Sequence, residues 1–292
     1  MRRRRSNAAV VEACEQGLRN LRPVGDERDV MAHYVIAPAR RRSRTHIASR
    51  PDLGRRLRLF GLLNILAGAV VAGAFTARPV APPAADNLTV VELFTSQGCS
   101  SCPPANANLV RLARRPDVLA LGFSVTYWDQ LGWPDTFAQP AFTARQRDYQ
   151  RGLVNDNVWT PQMVIDGRAD VVGGRMDEIE RQIAAHRPFS GPVIRFNPRG
   201  VGLAGGRPPR RPADVWLVRY EREAINVPVA RGENSGRTLP HANVVRELVR
   251  LGQWRGQTTG FALPPARTDG LVTAVLVQAP DGGPILGAGR AP

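Results

Sequence analysis

Lysine is missing from the 292 residues, and all 40 basic side chains are arginine. The formal net charge of +15 therefore reflects codon composition as much as a surface selected for charge. The excess is also lopsided. Residues 1–58 hold 15 Arg against 6 acids, whereas the rest of the chain holds 25 Arg against 19 acids, interspersed and with few aromatic residues between them. Binding to a phosphate backbone draws on a concentrated basic patch, so no nucleic-acid partner is expected.

Cysteine is scarce as well. Of the three, Cys14 lies far upstream, which leaves Cys99 and Cys102 as the one pair close enough to act together. That scarcity argues against zinc, because no further thiols are present downstream and His186 and His241 stand isolated in sequence. No internal repeat is present.

Residues 1–58 lack sustained periodicity and read as a disordered, Arg-rich extension. Arg55, Arg56 and Arg58 then precede residues 59–77, which carry no charge, with the small residues Ala72-Gly73-Ala74 at the spacing a signal peptidase favours. This segment reads as a signal peptide, with an inner-membrane anchor as the alternative, since 19 uncharged residues are at the short end for a span. Either reading exports the chain from residue 78 onward, to the periplasm or outside the cell. Residues 78–87 form a linker rich in Pro and Ala.

From Leu88 the pattern changes. TVVELFTS is an apolar strand, Pro104 to Arg115 a helix, VLALGFSVT a second strand, and Ala141 to Leu153 a second helix. Residues 158–172 form a hairpin turning at Asp166-Gly167, and Met176 to His186 an amphipathic helix. The expected fold is an α/β thioredoxin-like domain over residues 88–188, with a small antiparallel, sandwich-like β-rich domain over 189–292. The second part rests on the runs PVIRFN, ADVWLVRYE, EAINVPVA, LVTAVLVQ and PILGAG. Residues 243–251 fit a strand or a short helix equally well.

The chemistry centres on Cys99-Ser100-Ser101-Cys102, one short loop after a strand and just before a helix. A thiol attacks as thiolate, and a helix N-terminus stabilises that charge through unpaired N–H groups and the dipole. Cys99 is the expected attacking sulfur and Cys102 the resolving one. Glu92 interrupts an apolar strand seven residues earlier; buried there, it could relay a proton to the resolving thiol, or it could simply pair with an arginine. Thr160-Pro161 stands where this order of elements places a cis proline facing the cysteines, although most X-Pro bonds are trans. Thr160 and Trp128 are the candidate substrate-binding residues. For Trp128, Asp129 and Trp133 the alternative is a packed aromatic loop. A structural disulfide and a copper site built on the cysteine pair are the competing readings of Cys99 and Cys102.

The motifs ELFTSQGCSSCPPAN, YWDQLGW, FTARQRDY, TPQMVIDGR, RGENSGRTL and HANVVRELVRLGQW resemble, in this order, the bacterial exported family catalogued as domain of unknown function 1223. The resemblance runs from about Leu88 to beyond Trp254 and implies a thioredoxin-like first half. Members of that family usually read His-Val-Asp before Tyr-Trp-Asp; this chain has Ser124-Val125-Thr126, which removes two titrating groups beside the cysteines. The expected activity is thiol–disulfide exchange with a protein or small-thiol partner, needing no diffusible cofactor because the disulfide carries the two electrons. A non-enzymatic scaffold stapled by the same bridge is the alternative. The loop RGENSGR, residues 231–237, is the first place to probe outside the cysteines.

Overall fold

A computed structural model describes residues 88–292. The extension (1–58), the uncharged segment (59–77) and the linker (78–87) expected from sequence lie outside the described residues. The chain enters on β1 (Thr89–Thr95), crosses through α1 (Pro103–Leu112), and pairs β2 (Val118–Ser124) parallel to β1, with Val91 opposite Ala120. After α2 (Pro140–Gly152) come β3 (Gln162–Ile165), antiparallel to β1, and β4 (Ala169–Val172). The strand order is β2-β1-β3-β4. Asp166 and Gly167, at φ 52° and 61°, form the turn of the β3–β4 hairpin. Helix α3 (Met176–Ala184) comes next.

The period-two alternation of a strand divides β1 between two cores. Val91 and Leu93 join Ala105, Leu109 and Leu112 of α1 and Ile179 and Ile183 of α3. Val90 and Phe94 point the other way, onto Phe142 and Tyr149 of α2. Each such Val, Leu, Ile or Phe side chain withdrawn fully from water contributes roughly 1.5–3 kcal/mol.

Nine strands complete the chain: β5 (Val193–Asn197), β6 (Gly200–Ala204), β7 (Ala213–Tyr220), β8 (Ile225–Pro228), β9 (Thr238–His241), β10 (Val245–Trp254), β11 (Thr259–Phe261), β12 (Val272–Gln278) and β13 (Ile285–Arg290). They form sheets of order β10-β7-β12-β13, β11-β6-β5 and β8-β9. Residues 245–251 resolve as strand, the first part of β10, which pairs antiparallel with β7; Asn243 is a bend and Val244 an isolated bridge before it. Val218, Val245, Ala274 and Leu276 share one apolar cluster with Val90, Phe94 and Phe123 of the first sheet. On the opposite face, Val215, Leu217, Val275 and Val277 pack on Val201 and Leu203.

The expected fold class is therefore corrected. Thirteen strands in four small sheets, against three α-helices of 10, 13 and 9 residues, make the described residues mostly β rather than an α/β thioredoxin-like domain with a small β appendage. The physical reason lies in the pairings. A single parallel ladder, β1 with β2, uses a helical crossover, and every other named strand pair is antiparallel. Local patterns up to Pro188 suggest α/β, but the later strands dominate and share the first sheet's core.

The free rim of β2 is closed from downstream. Gly122 N donates to Asn243 O (3.0 Å), Asn243 Nδ2 donates to Ala120 O (2.8 Å), and Gly122 forms a parallel bridge with Val244. Gly122 is needed for this approach, since a Cβ there would lie 3.1 Å from Ala242 O and 3.2 Å from Leu109 Cδ2.

Candidate functional site: a covered disulfide at the head of the first helix

Cys99 and Cys102 are joined as a disulfide with their Cα atoms 5.4 Å apart, and neither residue is exposed. Turns carry the chain round: Cys99 N donates to Ser96 O (3.2 Å) and Cys102 N to Cys99 O (3.1 Å). Cys102 is the N-cap of α1. Ser100 and Ser101, between the sulfurs, face solvent.

The helix end differs from the sequence expectation in one respect. Pro103 and Pro104 occupy its first positions and bring no N–H, while Ala105 N and Asn106 N both donate to Cys102 O. Few unpaired N–H groups remain to meet a thiolate. The Ser101 hydroxyl, 3.3 Å from Cys99 Sγ, is the side-chain donor in reach of that sulfur.

Two segments hold the cysteine loop. From downstream, the buried Asn234 donates through Nδ2 to both Gln97 O (3.0 Å) and Cys99 O (2.9 Å), and Arg237 Nη1 fixes its amide by donating to Asn234 Oδ1 (2.9 Å). Beside it Glu233 Oε2 accepts from Ser100 N (3.2 Å). From the aromatic connection, Trp133 Nε1 donates to Gln97 Oε1 (2.9 Å) and Asp135 Oδ2 accepts from Gln97 N (2.7 Å). Burial pushes the Asp135 carboxyl up, against the opposing pull of the N–H groups of Gln97 and Phe137.

The Thr160-Pro161 bond is cis, as expected from the order of elements. Trp128 Nε1 donates to Thr160 Oγ1 (2.8 Å), so the two candidate substrate-binding residues are one hydrogen-bonded unit. Gly173 bridges them to the helix: its N donates to Pro161 O (2.8 Å), and a Cβ there would meet Ala105 Cβ at 2.8 Å and Pro161 Cβ at 3.4 Å. Pro161 is thereby brought beside the first turn of α1, and Trp128 beside Gly98, whose Cβ would stand 3.6 Å from Trp128 Cβ.

Glu92 is not brought to this place. Its alternation along β1 puts it on the α2 side, opposite to α1. There Arg145 grips its carboxylate with two bonds, Nη2 to Oε1 (2.6 Å) and Nε to Oε2 (3.1 Å), while Arg145 also reaches Tyr149 Oη and Gln278 Oε1. Both side chains are buried, at 4% and 1% exposure. Of the two roles open to Glu92 in the sequence, the arginine pair is the observed one.

Ser124 and Thr126 occupy hydrogen-bonded positions. Ser124 O accepts from Gln139 N (3.3 Å) and its hydroxyl pulls the Asp135 carboxyl down against burial, and Thr126 pairs with Thr143 through its N–H and its hydroxyl, both at 3.0 Å. The sequence does not mark Asn234, Glu233, Gln97 or Asp135 individually, although the first two fall within the RGENSGR loop. Their link to the cysteines depends on contacts across as many as 137 positions, for which local sequence carries no signal.

His241 lies behind this site, edge-on to Phe137, and burial pushes its imidazole down to about 4. The unfolded chain takes up that proton near pH 6.5. The associated stability is therefore present above pH 6.5 and lost as pH falls toward 4, by roughly 3 kcal/mol at 1.36 kcal/mol per pH unit. Urea midpoints from pH 7 to 4, compared between the native chain and His241→Phe, should differ by this slope. Asp135 and Asp148, whose carboxyls burial raises, act in the opposite direction and cancel in the difference. Parallel curves would remove His241 as a source of acid sensitivity.

Fold and site together define a mostly-β protein with a disulfide at a strand-to-helix junction, covered by a loop from its C-terminal strands. The chain belongs to the family described as protein of unknown function (DUF1223), whose model matches residues 90–278. Among solved structures it is similar to protein AGR_C_4864 of Agrobacterium tumefaciens, a structural-genomics crystal structure, at 31% identity and a TM-score of 0.60 over 69% of this chain and 92% of that one. A weaker likeness, at 11% identity and a TM-score of 0.48 over 70% of this chain and 75% of the other, is to HBP35 of Porphyromonas gingivalis. No curated protein matches.

Proposed function

We propose that the chain is an exported thiol–disulfide exchange protein whose reactive sulfur is Cys99. The observation that carries this reading is the Cys99–Cys102 bridge at the head of α1, with solvent-facing Ser100 and Ser101 between the sulfurs and cis Pro161 beside the same helix turn. A partner thiolate attacks Cys99 Sγ; the bridge breaks and Cys102 leaves as thiolate. The partner's second thiolate then attacks its own sulfur in the mixed disulfide and releases Cys99. Two electrons pass from partner dithiol to the bridge, the partner becomes a disulfide, and two protons complete the two thiols of the chain. The steps reverse for an oxidised partner, and no further cofactor enters.

Ser101 stabilises the Cys99 thiolate by its hydroxyl, a charge-assisted bond of about 1.5–3 kcal/mol. Trp128 and Thr160 frame the approach of a protein or small-thiol partner next to Pro161. The uncharged segment at residues 59–77 supports an exported location, periplasmic or secreted. Glu92, held by Arg145, stands outside the exchange path.

The complete burial of both cysteines favours a second reading, a structural staple in a binding scaffold. One titration separates the two. Equilibrated with glutathione buffers, an exchange protein should show a bridge in balance with the buffer, whereas a staple stays closed, with a potential below about −300 mV. Cys102→Ser should trap mixed disulfides with partners and Cys99→Ser should not. Equal trapping by both variants, or by neither, would overturn the assigned roles.

A further inference from the structure

Among the described residues, two buried polar atoms, Asn106 Nδ2 and His241 Nε2, have no hydrogen-bond partner, and both residues line the same small cavity. Asn106 is 1% exposed and His241 4%. Burying an amide donor or an imidazole nitrogen unsatisfied costs about 1–3 kcal/mol each, so a pair of them facing one void demands an occupant. The cavity is lined by Thr95, Asn106, Leu109, Ser124, His241 and Val244, among others, and offers about 10 Å³ to the centre of a water-sized sphere. That is close to the room one water molecule needs and too little for anything larger.

The geometry points to a buried water-binding site at this cavity, holding one molecule that accepts from Asn106 Nδ2 and donates to His241 Nε2 and to Ser124 Oγ. The polarity of each group agrees. Thr95 Oγ1 lies 2.9 Å from Asn106 Oδ1 and donates to it, which turns the amide nitrogen toward the void. Ser124 lines the cavity, and its hydroxyl oxygen has lone pairs to accept from a donor. An imidazole kept neutral by burial has one bare ring nitrogen, which in the proposed polarity is Nε2, with the proton at Nδ1. Three partners are the usual number for an internal water.

The occupant ties three parts of the fold together. Asn106 lies one turn along α1 from Cys102, Ser124 ends β2, and His241 ends β9. Through Ser124 the water extends the polar chain from Asp135 and Gln97, which hold the cysteine loop from the other side. The site stands independently of the chemistry assigned to the disulfide.

The test is a crystal structure of the full-length chain at a resolution where ordered waters are placed. The expected result is one density peak within about 3.2 Å of Asn106 Nδ2, His241 Nε2 and Ser124 Oγ, lost in a His241→Phe variant. A dry cavity overturns the proposal. So does an Asn106 amide turned so that its nitrogen meets Thr95, which would leave no orphan donor. Nitrogen NMR of the imidazoles of the native protein in solution provides a second measurement that needs no variant to fold. His241 Nε2 should report as an unprotonated acceptor of a hydrogen bond, and a protonated Nε2 overturns the assigned polarity.

Discussion

Replacing Arg145 by leucine is expected to lower stability by about 3–5 kcal/mol, the cost of stranding a buried carboxylate. Arg145 supplies both bonds to Glu92, at 2.6 and 3.1 Å, and sits among the rings of Phe123, Tyr149 and Trp216, with its guanidinium carbon 5.1–5.7 Å from their centroids. Glu92→Leu alone should cost a similar amount by leaving the guanidinium uncompensated. The double variant should recover most of the loss, because two apolar side chains of comparable volume fill the same space without a charge to desolvate. Urea unfolding at pH 7 measures this through the midpoint, with the slope unchanged. Losses in the two single variants that simply add in the double variant would show that the pair is not coupled.

Removal of the Asn234 side chain should accelerate reduction of the disulfide. In Asn234→Ala the carbonyls of Gln97 and Cys99 lose their shared donor, two hydrogen bonds worth about 1 kcal/mol each. If reduction proceeds through an open form of the loop, about 2 kcal/mol off the opening free energy corresponds to roughly 30-fold in the rate with dithiothreitol. Glu233→Ala is the comparison: that side chain is exposed and accepts a single 3.2 Å bond from Ser100 N, so its effect should stay within a few-fold. The equilibrium potential separates access from thermodynamics, because a loop that only gates the sulfurs alters the rate far more than the potential. An unchanged rate in Asn234→Ala would show that the sulfurs are reached by another route.

Much of the local structure is legible in the chain. The presence and order of the three helices, of β1 and β2 and of the Asp166-Gly167 hairpin come from apolar periodicity, proline at helix starts and a turn that needs positive φ, while their ends shift: the first helix stops at Leu112 rather than Arg115, and β3 begins at Gln162 rather than residue 158. The cysteine pair is legible from its spacing, and the cis proline from the order of elements. The class of the fold is not, because the balance between helix and strand is decided by downstream segments such as β6, β9 and β11, three to five residues each, too short to show alternation. Nor is the orientation of Glu92. One position along a strand moves a side chain to the other face, and the count of seven back from Cys99 does not by itself say which face α1 covers. Arg145 stands within FTARQRDY, but nothing in that motif announces that its partner lies 53 residues upstream.

The closure of β2 by Asn243 and Val244 bears on self-association. A strand rim with bare N–H and C=O groups is a template on which a second molecule can grow, and proteins commonly blunt such rims. Here the chain supplies its own cap, built from an asparagine at φ 47° and a glycine that leaves room for the approach. The opposite rim, β4, is four residues long and carries the half-exposed Val172, too short to seed an extended ladder. Copies meeting in solution therefore find little strand rim on the first sheet to extend.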